Sequence, residues 1–474
     1  MCFACTFRFE PAAACPIMGG CNMEPERSVI LRIDARTPQG RETLNLLRAR
    51  ISVSAGMISG GTAVNDAEKS VRAVLDSIGS RLGKPGTDAA VCEYTREFDG
   101  VVVKPENLRV AEATIEAAYR AMPKEFIRTV TRIRDAVRRF QRHILHRDRK
   151  PLARDGRSLG LVYRPLRRVG VYVPGGKAFY PSTVLMTAVP ALAAGVPEVA
   201  VACPPTKDGD IHPAVLATCR VAGVAEVYRM GGVQAIAAFA YGTETVRPVE
   251  KIVGPGNLYV QTAKRLVFGA VDIDSFAGPS EVVVIADRSA DARFVAADML
   301  SQAEHDPGSA ILITPDEALA DAVAGEVEAQ VADLARAEAT RAALQGYSAV
   351  VIVADLDDAA RVTNELAPEH VEIQTERPEE VLRNICCGGA VFIGRYTPVA
   401  VGDYVAGPSH TLPTGGTARW AAGLTANDFL RAMSVIGYDR AALEADAADI
   451  YRMAETEGLT AHAESVRKRL EPKK

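Results

Sequence analysis

Four of the seven histidines in this 474-residue chain lie in polar segments with glycine or proline nearby. They are His305 in SQAEHD, His370 in APEHVE, His410 in AGPSHTLPT and His462 in EGLTAHAE. Imidazole titrates near neutral pH, and its neutral form is the commonest metal ligand in proteins. These positions could therefore transfer protons, bind a metal ion or do both.

A metal site is one interpretation of the segment SQAEHD. Gln302 and His305 are three residues apart, so on a helix they would share one face. Zinc accepts oxygen as well as nitrogen donors, and Asp403 and His462 are plausible additional ligands. The alternative is a Gln-x-x-His pair without a metal, and spacing alone does not decide between the two.

Proton transfer is one interpretation of the adjacent residues Glu369 and His370. They follow a proline, in what the sequence predicts to be a loop or the start of a helix. A neighbouring acid and imidazole suit general acid–base catalysis near neutral pH. The alternative is a capping glutamate beside a surface histidine.

Glycine-rich turns follow three predicted strands, although the GxGxxG fingerprint of a common dinucleotide-binding turn is absent. The three turns contain Pro174-Gly175-Gly176, Gly231-Gly232 and Gly254-Pro255-Gly256-Asn257. Glycine at a strand end lets a ligand approach backbone N–H groups closely. Three such turns in one sheet favour a binding crevice over three unrelated turns.

Alternating strands and helices must position these residues. From Asp66 to Arg147, apolar residues recur at three- and four-residue intervals, which predicts helices. Short β-branched runs follow at 169–173, 198–202 and 225–229, and then at 282–286, 310–314, 348–354 and 390–394. This alternation predicts an α/β fold with two doubly wound parallel sheets. Past Gly415 the pattern predicts helices and no further strand.

The composition is that of an ordinary soluble globular protein of two or more domains, with 48% hydrophobic residues, 24% charged residues and a net charge of −4. Between Lys124 and Arg168 lie fifteen Lys or Arg and four Asp or Glu. A solvated helix face and a charged linker are favoured there over a nucleic-acid footprint. No apolar run reaches the ~20 residues of a membrane helix, so neither nucleic acid nor membrane is an expected partner.

Nine irregularly spaced cysteines argue against a disulfide scaffold and predict reduced thiols in the cytoplasm. Residues 1–27 lack the basic start and the apolar core of a secretory signal, so they are expected to form a disordered leader. The single CxxC pair of Cys2 and Cys5 in that leader is not sufficient to predict zinc.

In their order along the chain, these segments resemble blocks of the histidinol dehydrogenase family. The resemblance is carried by IDSFAGPSEVVVIADRSADARFVAADMLSQAEHD at 273–306, and by KIVGPGNLYVQTAKR, APEHVEI, GDYVAGPSHTLPTGGTARW and EGLTAHAESVRKR. It covers about residues 66–472.

The resemblance implies two incomplete Rossmann-like α/β domains between a helical N-terminal segment and a helical C-terminal tail. The expected boundaries are 28–67 for the N-terminal segment, 68–171 plus 281–422 for a first domain with most metal and catalytic residues, 172–280 for a second, NAD-binding domain, and 423–474 for the tail. In the family the tail crosses to a second subunit. A homodimer with shared active sites and one zinc ion per subunit is therefore implied.

The site residues of the family carry over one by one. Zinc would be held by Gln302, His305, Asp403 and His462; Glu369 and His370 would be catalytic; Tyr172, Gln234 and Asn257 would bind NAD. The substrate would contact Ser280, His410 and Glu457, together with Gln302, His305, His370, Asp403 and His462.

The implied activity is the oxidation of L-histidinol to L-histidine through histidinal, with reduction of two NAD, the last step of histidine biosynthesis. His370 would take the alcohol proton, and Glu369 would activate the water that hydrates the aldehyde. The alternatives are a related dehydrogenase of another chelating alcohol such as a sulfonated diol, a catalytically silent binding scaffold, and a zinc hydrolase. His410 and Glu457 argue against a sulfonate, and the three glycine-rich turns argue against a hydrolase.

Overall fold

The computed structural model describes residues 29–52, 62–79, 86–176, 179–275, 278, 280–305 and 308–472. The expected disordered leader, residues 1–27, therefore lies outside the described residues. The strands are β1 Leu31–Asp34, β2 Leu152–Arg154, β3 Arg157–Pro165, β4 Arg168–Tyr172, β5 Glu198–Cys203, β6 Glu226–Arg229, β7 Lys251–Val253, β8 Asp272–Ile273, β9 Ser280–Ala286, β10 Gly308–Thr314, β11 Ala349–Ile352, β12 His370–Gln374, β13 Ala390–Ile393 and β14 Leu430–Tyr438.

The helices are α1 Pro38–Ile51, α2 Thr62–Ile78, α3 Asp88–Asp99, α4 Glu112–Ala121, α5 Lys124–Ile144, α6 Pro181–Ala194, α7 Pro213–Ala222, α8 Gly232–Tyr241, α9 Leu258–Val267, α10 Ala292–Ala303, α11 Glu317–Val331, α12 Ala337–Tyr347, α13 Leu356–Leu366, α14 Pro378–Leu382, α15 Val399–Tyr404, α16 Arg440–Thr456 and α17 Thr460–Leu470. Short 3₁₀ turns lie at Pro105–Asn107, Thr417–Arg419 and Ala426–Phe429. None of these helices is both long enough and apolar enough to span a membrane.

Two parallel sheets form the body of the protein. The first has the strand order β1-β11-β10-β9-β12-β13, and the second has the order β6-β5-β4-β7-β8. Helices cover the sheets, so all seven residues of β10 are buried. Such burial explains the continuous apolar runs in the sequence. The predicted α/β class with two parallel sheets is confirmed.

Helix α10 shows how local sequence positions a site residue. It begins after Asp291, whose side chain accepts the Arg293 N–H at 3.0 Å and caps the helix. Val295 and Met299 recur one turn apart and pack in the core of the first sheet. Gln302 lies in the last turn of this helix, whereas His305 lies two residues past its end. The prediction that both share one helix face is therefore wrong for His305.

Seven of the described strands lie outside the predicted runs: β1, β2, β3, β7, β8, β12 and β14. Three of them show the physical reasons. Strand β12 begins at His370, where a loop or helix start is predicted. Every second residue of this buried strand is polar, so it lacks the continuous apolar run by which core strands such as β9 are predicted. Strand β1 is a four-residue edge strand in the predicted helical segment 28–67. The prediction that no strand follows Gly415 is wrong, because β14 pairs antiparallel with β3. Most of β14 is exposed, so its sequence lacks a core strand's alternation.

The helices within residues 68–171 do not pack as the expected boundaries imply. Val71 and Val91 share a core with Tyr172 and Phe239 of the second sheet and its helices. Ile115, Val130 and Val137 belong to the core that contains β4 and β5. Residues 68–171, which the expected boundaries group with residues 281–422, therefore pack against the second sheet. The apolar faces of their helices cover both sides of that sheet.

Candidate active site

The predicted catalytic residues lie at the amino-terminal edge of the first sheet. His370 is the first residue of β12, Glu369 immediately precedes it, and Ser280 is the first residue of the adjacent strand β9. His305 lies three residues before β10 begins at Gly308. Parallel sheets usually bind ligands at their carboxyl ends, so this edge was not indicated by the general rule.

His370 is held as a neutral base. Its Nδ1 lies 2.9 Å from the carbonyl oxygen of Glu281, so Nδ1–H donates there and Nε2 carries the lone pair. Nε2 is buried and has no hydrogen-bond partner in the described residues; Oδ1 of Asp403 lies 3.9 Å from it. Burial lowers the pKa of His370 to about 4, and the charges of His305 and His410 act in the same direction.

Glu369 is buried against a second carboxyl group, Glu281. Oε2 of Glu369 accepts the Glu281 N–H at 3.0 Å and lies 3.6 Å from Nδ1 of His370. In return, Glu281 accepts the Glu369 N–H at 3.4 Å and the Gly415 N–H at 3.0 Å. Burial raises the pKa of Glu369 well above its usual range and that of Glu281 to about 8. Both carboxyls are therefore protonated near neutral pH while the site holds no compensating cation.

Asp403 and His410 complete the polar surroundings of His370. Asp403 lies on α15, and burial raises its pKa to about 6. Burial lowers the pKa of His410 to about 4, although a hydrogen bond with the Asp403 backbone opposes this shift. Gln302 is buried with an unpartnered Oε1 atom in the described structure. His305 is exposed.

The residues expected to bind zinc lie on separate elements of the described chain. Among the described residues, no group of three His, Cys, Asp or Glu side chains is placed to hold a metal ion. His462 lies on α17, and Glu457 is the capping residue that follows α16; both are exposed. The oxygen and nitrogen atoms of Gln302, Asp403 and His305 are nevertheless of the kinds that zinc binds. Oε1 of Gln302 is buried without a hydrogen-bond partner in the described structure, so it is available as a metal ligand.

The three glycine-rich turns do meet at one edge, the carboxyl-terminal edge of the second sheet. A Cβ atom on Gly175 or on Gly231 would lie 2.6 Å from the ring of Pro204, so two of the turns pack on that residue. Gly254 has a φ of +123°, and a Cβ atom there would lie 2.0 Å from the carbonyl oxygen of Tyr172. Only glycine fits this close approach of the two backbone segments.

The expected cofactor residues lie at these turns. The Tyr172 hydroxyl accepts the Gly232 N–H at 3.3 Å, and both Tyr172 and Gln234 are buried. Gln234 donates from Nε2 to Asp99 at 3.2 Å, while its Oε1 atom has no partner in the described structure. The exposed Asn257 caps α9 by accepting the Val260 N–H at 3.1 Å.

Several supporting residues were not predicted from the sequence. Glu281 is one, although a single carboxylate in the strand run SEVVVIA was an available signal. Lys264 and Asp274 form a buried ion pair, and both bind the backbone of Gly254. Nζ of Lys264 donates to the Gly254 carbonyl at 3.0 Å, and the Gly254 N–H donates to Asp274 at 2.7 Å. Asp99 is another, and burial raises its pKa to about 6.

Glu281→Gln is expected to flatten the pH dependence of stability. The raised pKa of Glu281 means that the folded chain binds this proton more tightly than the unfolded chain. The stability it contributes is therefore fully present below about pH 4.5 and is lost as pH rises through about 8. The melting temperature of the wild type should fall more between pH 5.5 and 7.5 than that of the variant. Glu97→Gln, at an exposed position of α3, is the control; equal slopes for Glu281→Gln and wild type would contradict the assignment.

Comparison with known proteins assigns the chain to a family. The histidinol dehydrogenase family model matches residues 59–470. A histidinol dehydrogenase of Rhodopirellula baltica is 50% identical over 460 residues, covering 94% of this chain and 98% of the relative. One of Heliobacterium mobile is 50% identical over 411 residues, covering 86% and 95%. The crystal structure of histidinol dehydrogenase from Elizabethkingia anophelis superimposes with a TM-score of 0.81 at 34% identity, covering 85% of this chain and 92% of that one. In sequence and in fold, this chain belongs to the histidinol dehydrogenase family.

Proposed function

We propose that this chain oxidises L-histidinol to L-histidine through histidinal, with reduction of two NAD, as the last step of histidine biosynthesis. The observation that carries the proposal is the buried His370–Glu369 pair, whose imidazole is fixed as a neutral base with a free Nε2 atom. Relatives about 50% identical over most of their length bear the histidinol dehydrogenase name.

His370 takes the proton in the alcohol step. The Glu281 carbonyl fixes the tautomer, so the Nε2 lone pair faces the side of the ring that is free of hydrogen bonds. When the hydroxyl of the substrate lies at Nε2, proton removal accompanies hydride loss from the adjacent carbon. NAD, when bound, supplies the hydride acceptor.

Glu369 acts in the second half of the reaction, when the aldehyde must add water before it can lose another hydride. Its Oε2 atom is anchored by the Glu281 N–H, which fixes the direction of the carboxyl group. In the deprotonated form, Glu369 takes a proton from the attacking water, and His370 again takes the proton that leaves with hydride transfer. A cationic substrate beside these buried carboxyls favours that deprotonated form.

We extend the proposal to one zinc ion per subunit, held by Gln302, His305, Asp403 and the His462 of a second copy. Support comes from the orphaned Gln302 oxygen, from Asp403 beside His370, and from the oxygen and nitrogen donor set. When bound, zinc supplies a fixed positive charge that orients the nitrogen atoms of the substrate.

The proposal also assigns residues that would contact NAD and the substrate. Tyr172, Gln234 and Asn257 lie at the glycine-rich turns, where backbone N–H groups suit the phosphates of NAD. Ser280, His410 and Glu457 would contact histidinol, alongside the zinc ligands and His370. A related dehydrogenase of a sulfonated diol fits less well, because a sulfonate would meet the carboxylate of Glu457.

A homodimer with shared sites is supported by the third sheet, which has the order β14-β3-β2. Both of its faces expose apolar side chains, and Ile436 and Leu152 are 72% and 69% exposed. The others are Leu159, Leu161, Met433, Val435 and Tyr438. Within the described residues, the ion pairs and side-chain hydrogen bonds of α16 and α17 join them to each other and to the β2–β3 hairpin. A second copy that covers this sheet would bring the tail to another active site.

The test is NADH formation with a panel of alcohols. Histidinol should be oxidised with two NADH per molecule, while ethanol and a sulfonated diol should not. Chelation should abolish the activity, and added zinc should restore it. Preference for the sulfonated diol, or full activity in metal-free protein, would contradict the proposal. We place the activity in the cytoplasm, which agrees with the absence of disulfides among the described cysteines.

A further inference from the structure

Strand β12 carries a row of polar side chains where a buried central strand normally carries apolar ones. His370, Glu372 and Gln374 occupy alternate positions and share one face, and they are 3%, 1% and 4% exposed. Their neighbours on β9 are Val282, Val284 and Ala286. The proposed chemistry uses only His370, so the burial of the other two polar residues needs another reason.

Glu372 and Gln374 form a network with Asp298 of α10. Nε2 of Gln374 donates to Oδ2 of Asp298 at 2.7 Å and to Oε2 of Glu372 at 2.9 Å. Burial raises the pKa of Glu372 well above its usual range, and the charge of Asp298 and a hydrogen bond with it act in the same direction. Burial also raises the pKa of Asp298, whereas its hydrogen bond with Glu372 lowers it. Burial and the neighbouring charge of Asp298 therefore favour the protonated form of Glu372.

The other oxygen of Glu372 reaches a second helix. Oε1 accepts the N–H of Val399, the first residue of α15, at 3.1 Å. This helix carries Asp403 one turn further on, and α10 carries Gln302 one turn after Asp298. Glu372 is thus joined directly to α15 and, through Nε2 of Gln374, to α10. These are the two helices from which the proposed zinc ligands Gln302 and Asp403 project.

We propose that Glu372 is a positioning residue that sets the spacing between Gln302 and Asp403 and so determines how tightly zinc is held. The inference rests on the zinc site of the proposed function. Groups that orient the ligands of a metal without touching it change metal affinity by about 10–100-fold when they are removed. A network with a merely structural role would change the stability of the fold and leave zinc affinity unchanged.

Three variants and a matched control separate these roles. Glu372→Leu removes the hydrogen bonds of Glu372 with Gln374 and Val399, and Asp298→Ala removes the link to α10 from a half-buried position that tolerates substitution better. Glu372→Gln keeps the shape; its amide can donate to Asp298 while its oxygen accepts from Val399. Val284→Ala is the control, because Val284 is the fully buried neighbour of Glu372 on β9 and has no polar side-chain atom that could join the hydrogen bonds of the network.

The measurement is the zinc affinity of the purified full-length protein, from competition with a chromophoric chelator, together with melting temperature, KM and kcat. Zinc affinity should fall about 10–100-fold in Glu372→Leu and Asp298→Ala. In Glu372→Gln it should stay within about threefold of wild type. Val284→Ala should lower the melting temperature by creating a cavity, yet bind zinc normally.

Two results would overturn the inference. Asp298→Ala or a folded Glu372→Leu with wild-type zinc affinity would show that the network does not position the ligands. A loss of affinity in Val284→Ala equal to that in Asp298→Ala would show that any loss of core stability weakens the site. If the wild type itself binds no zinc, the proposed metal site fails first, which distinguishes that outcome from a failure of positioning alone.

Discussion

Replacing His370 with alanine is expected to slow the oxidation of both histidinol and supplied histidinal by about 10²–10⁴-fold. Both half-reactions need a base at the position of Nε2, and the described residues offer no second imidazole fixed by the Glu281 carbonyl. Because burial lowers the pKa of His370 to about 4, this base stays deprotonated across the neutral range. Acid inactivation of the wild type through this group should therefore appear only as pH falls towards 4.

Glu369→Ala, in the same pair of assays, should slow histidinal oxidation far more than the oxidation of histidinol to the aldehyde. The reason is that only the second half-reaction requires an activated water molecule. Zinc content must be measured for each variant, since metal loss would slow both steps equally. Glu365→Ala, which removes a half-buried carboxylate that pairs with Arg361 on α13, is the control. Equal losses in both assays with zinc retained would contradict the division of roles.

Activity should reappear when two inactive variants, Asp403→Ala and His462→Ala, are mixed and allowed to exchange subunits. Each variant alone lacks one proposed zinc ligand in every site. If the tail crosses, a mixed dimer has one site with both lesions and one intact site. Random exchange makes about half of the dimers mixed, so activity should recover to about one quarter of wild type.

The experiment discriminates because the alternative arrangement predicts no recovery. If α17 folds onto its own chain, every site keeps one lesion however the subunits are paired. Subunit exchange should be confirmed with two differently tagged variants, and a mixture of Asp403→Ala with itself gives the baseline. Confirmed exchange with baseline activity would exclude shared sites.

The sequence predicts the first sheet well where strands are uninterrupted apolar runs, as in β9 and β10. It misses β12 because His370, Glu372 and Gln374 replace the apolar residues of one strand face. The proposed catalytic pair, Glu369 and His370, could be selected by residue type, but the burial and hydrogen bonding of the pair could not be predicted. The tautomer of His370 depends on the Glu281 carbonyl, 89 residues away in sequence, and such a contact is set by strand order.

For the glycine-rich turns, the location was predictable from the sequence, but the contacts that support them were not. Three local motifs were sufficient to predict that these turns share one edge of a sheet, because the carboxyl ends of parallel strands lie on the same side. The sequence gives no sign that Pro204 lies beneath two of these turns, or that Lys264 and Asp274 clamp the third. Those contacts join residues from different strand–helix units, so no periodicity encodes them.

Strand β14 has a consequence for the order in which the protein is made. Leu430 pairs with Pro165, and Tyr438 pairs with Arg157, so the third sheet closes a very long loop of chain. During synthesis β3 and β14 are separated by the chain that forms the second sheet and most of the first, and such non-local pairing is slow to form. The two parallel sheets can fold on the ribosome before β14 emerges. Until β14 is synthesised, the edge of β3 that it will occupy is unpaired and could pair with another chain.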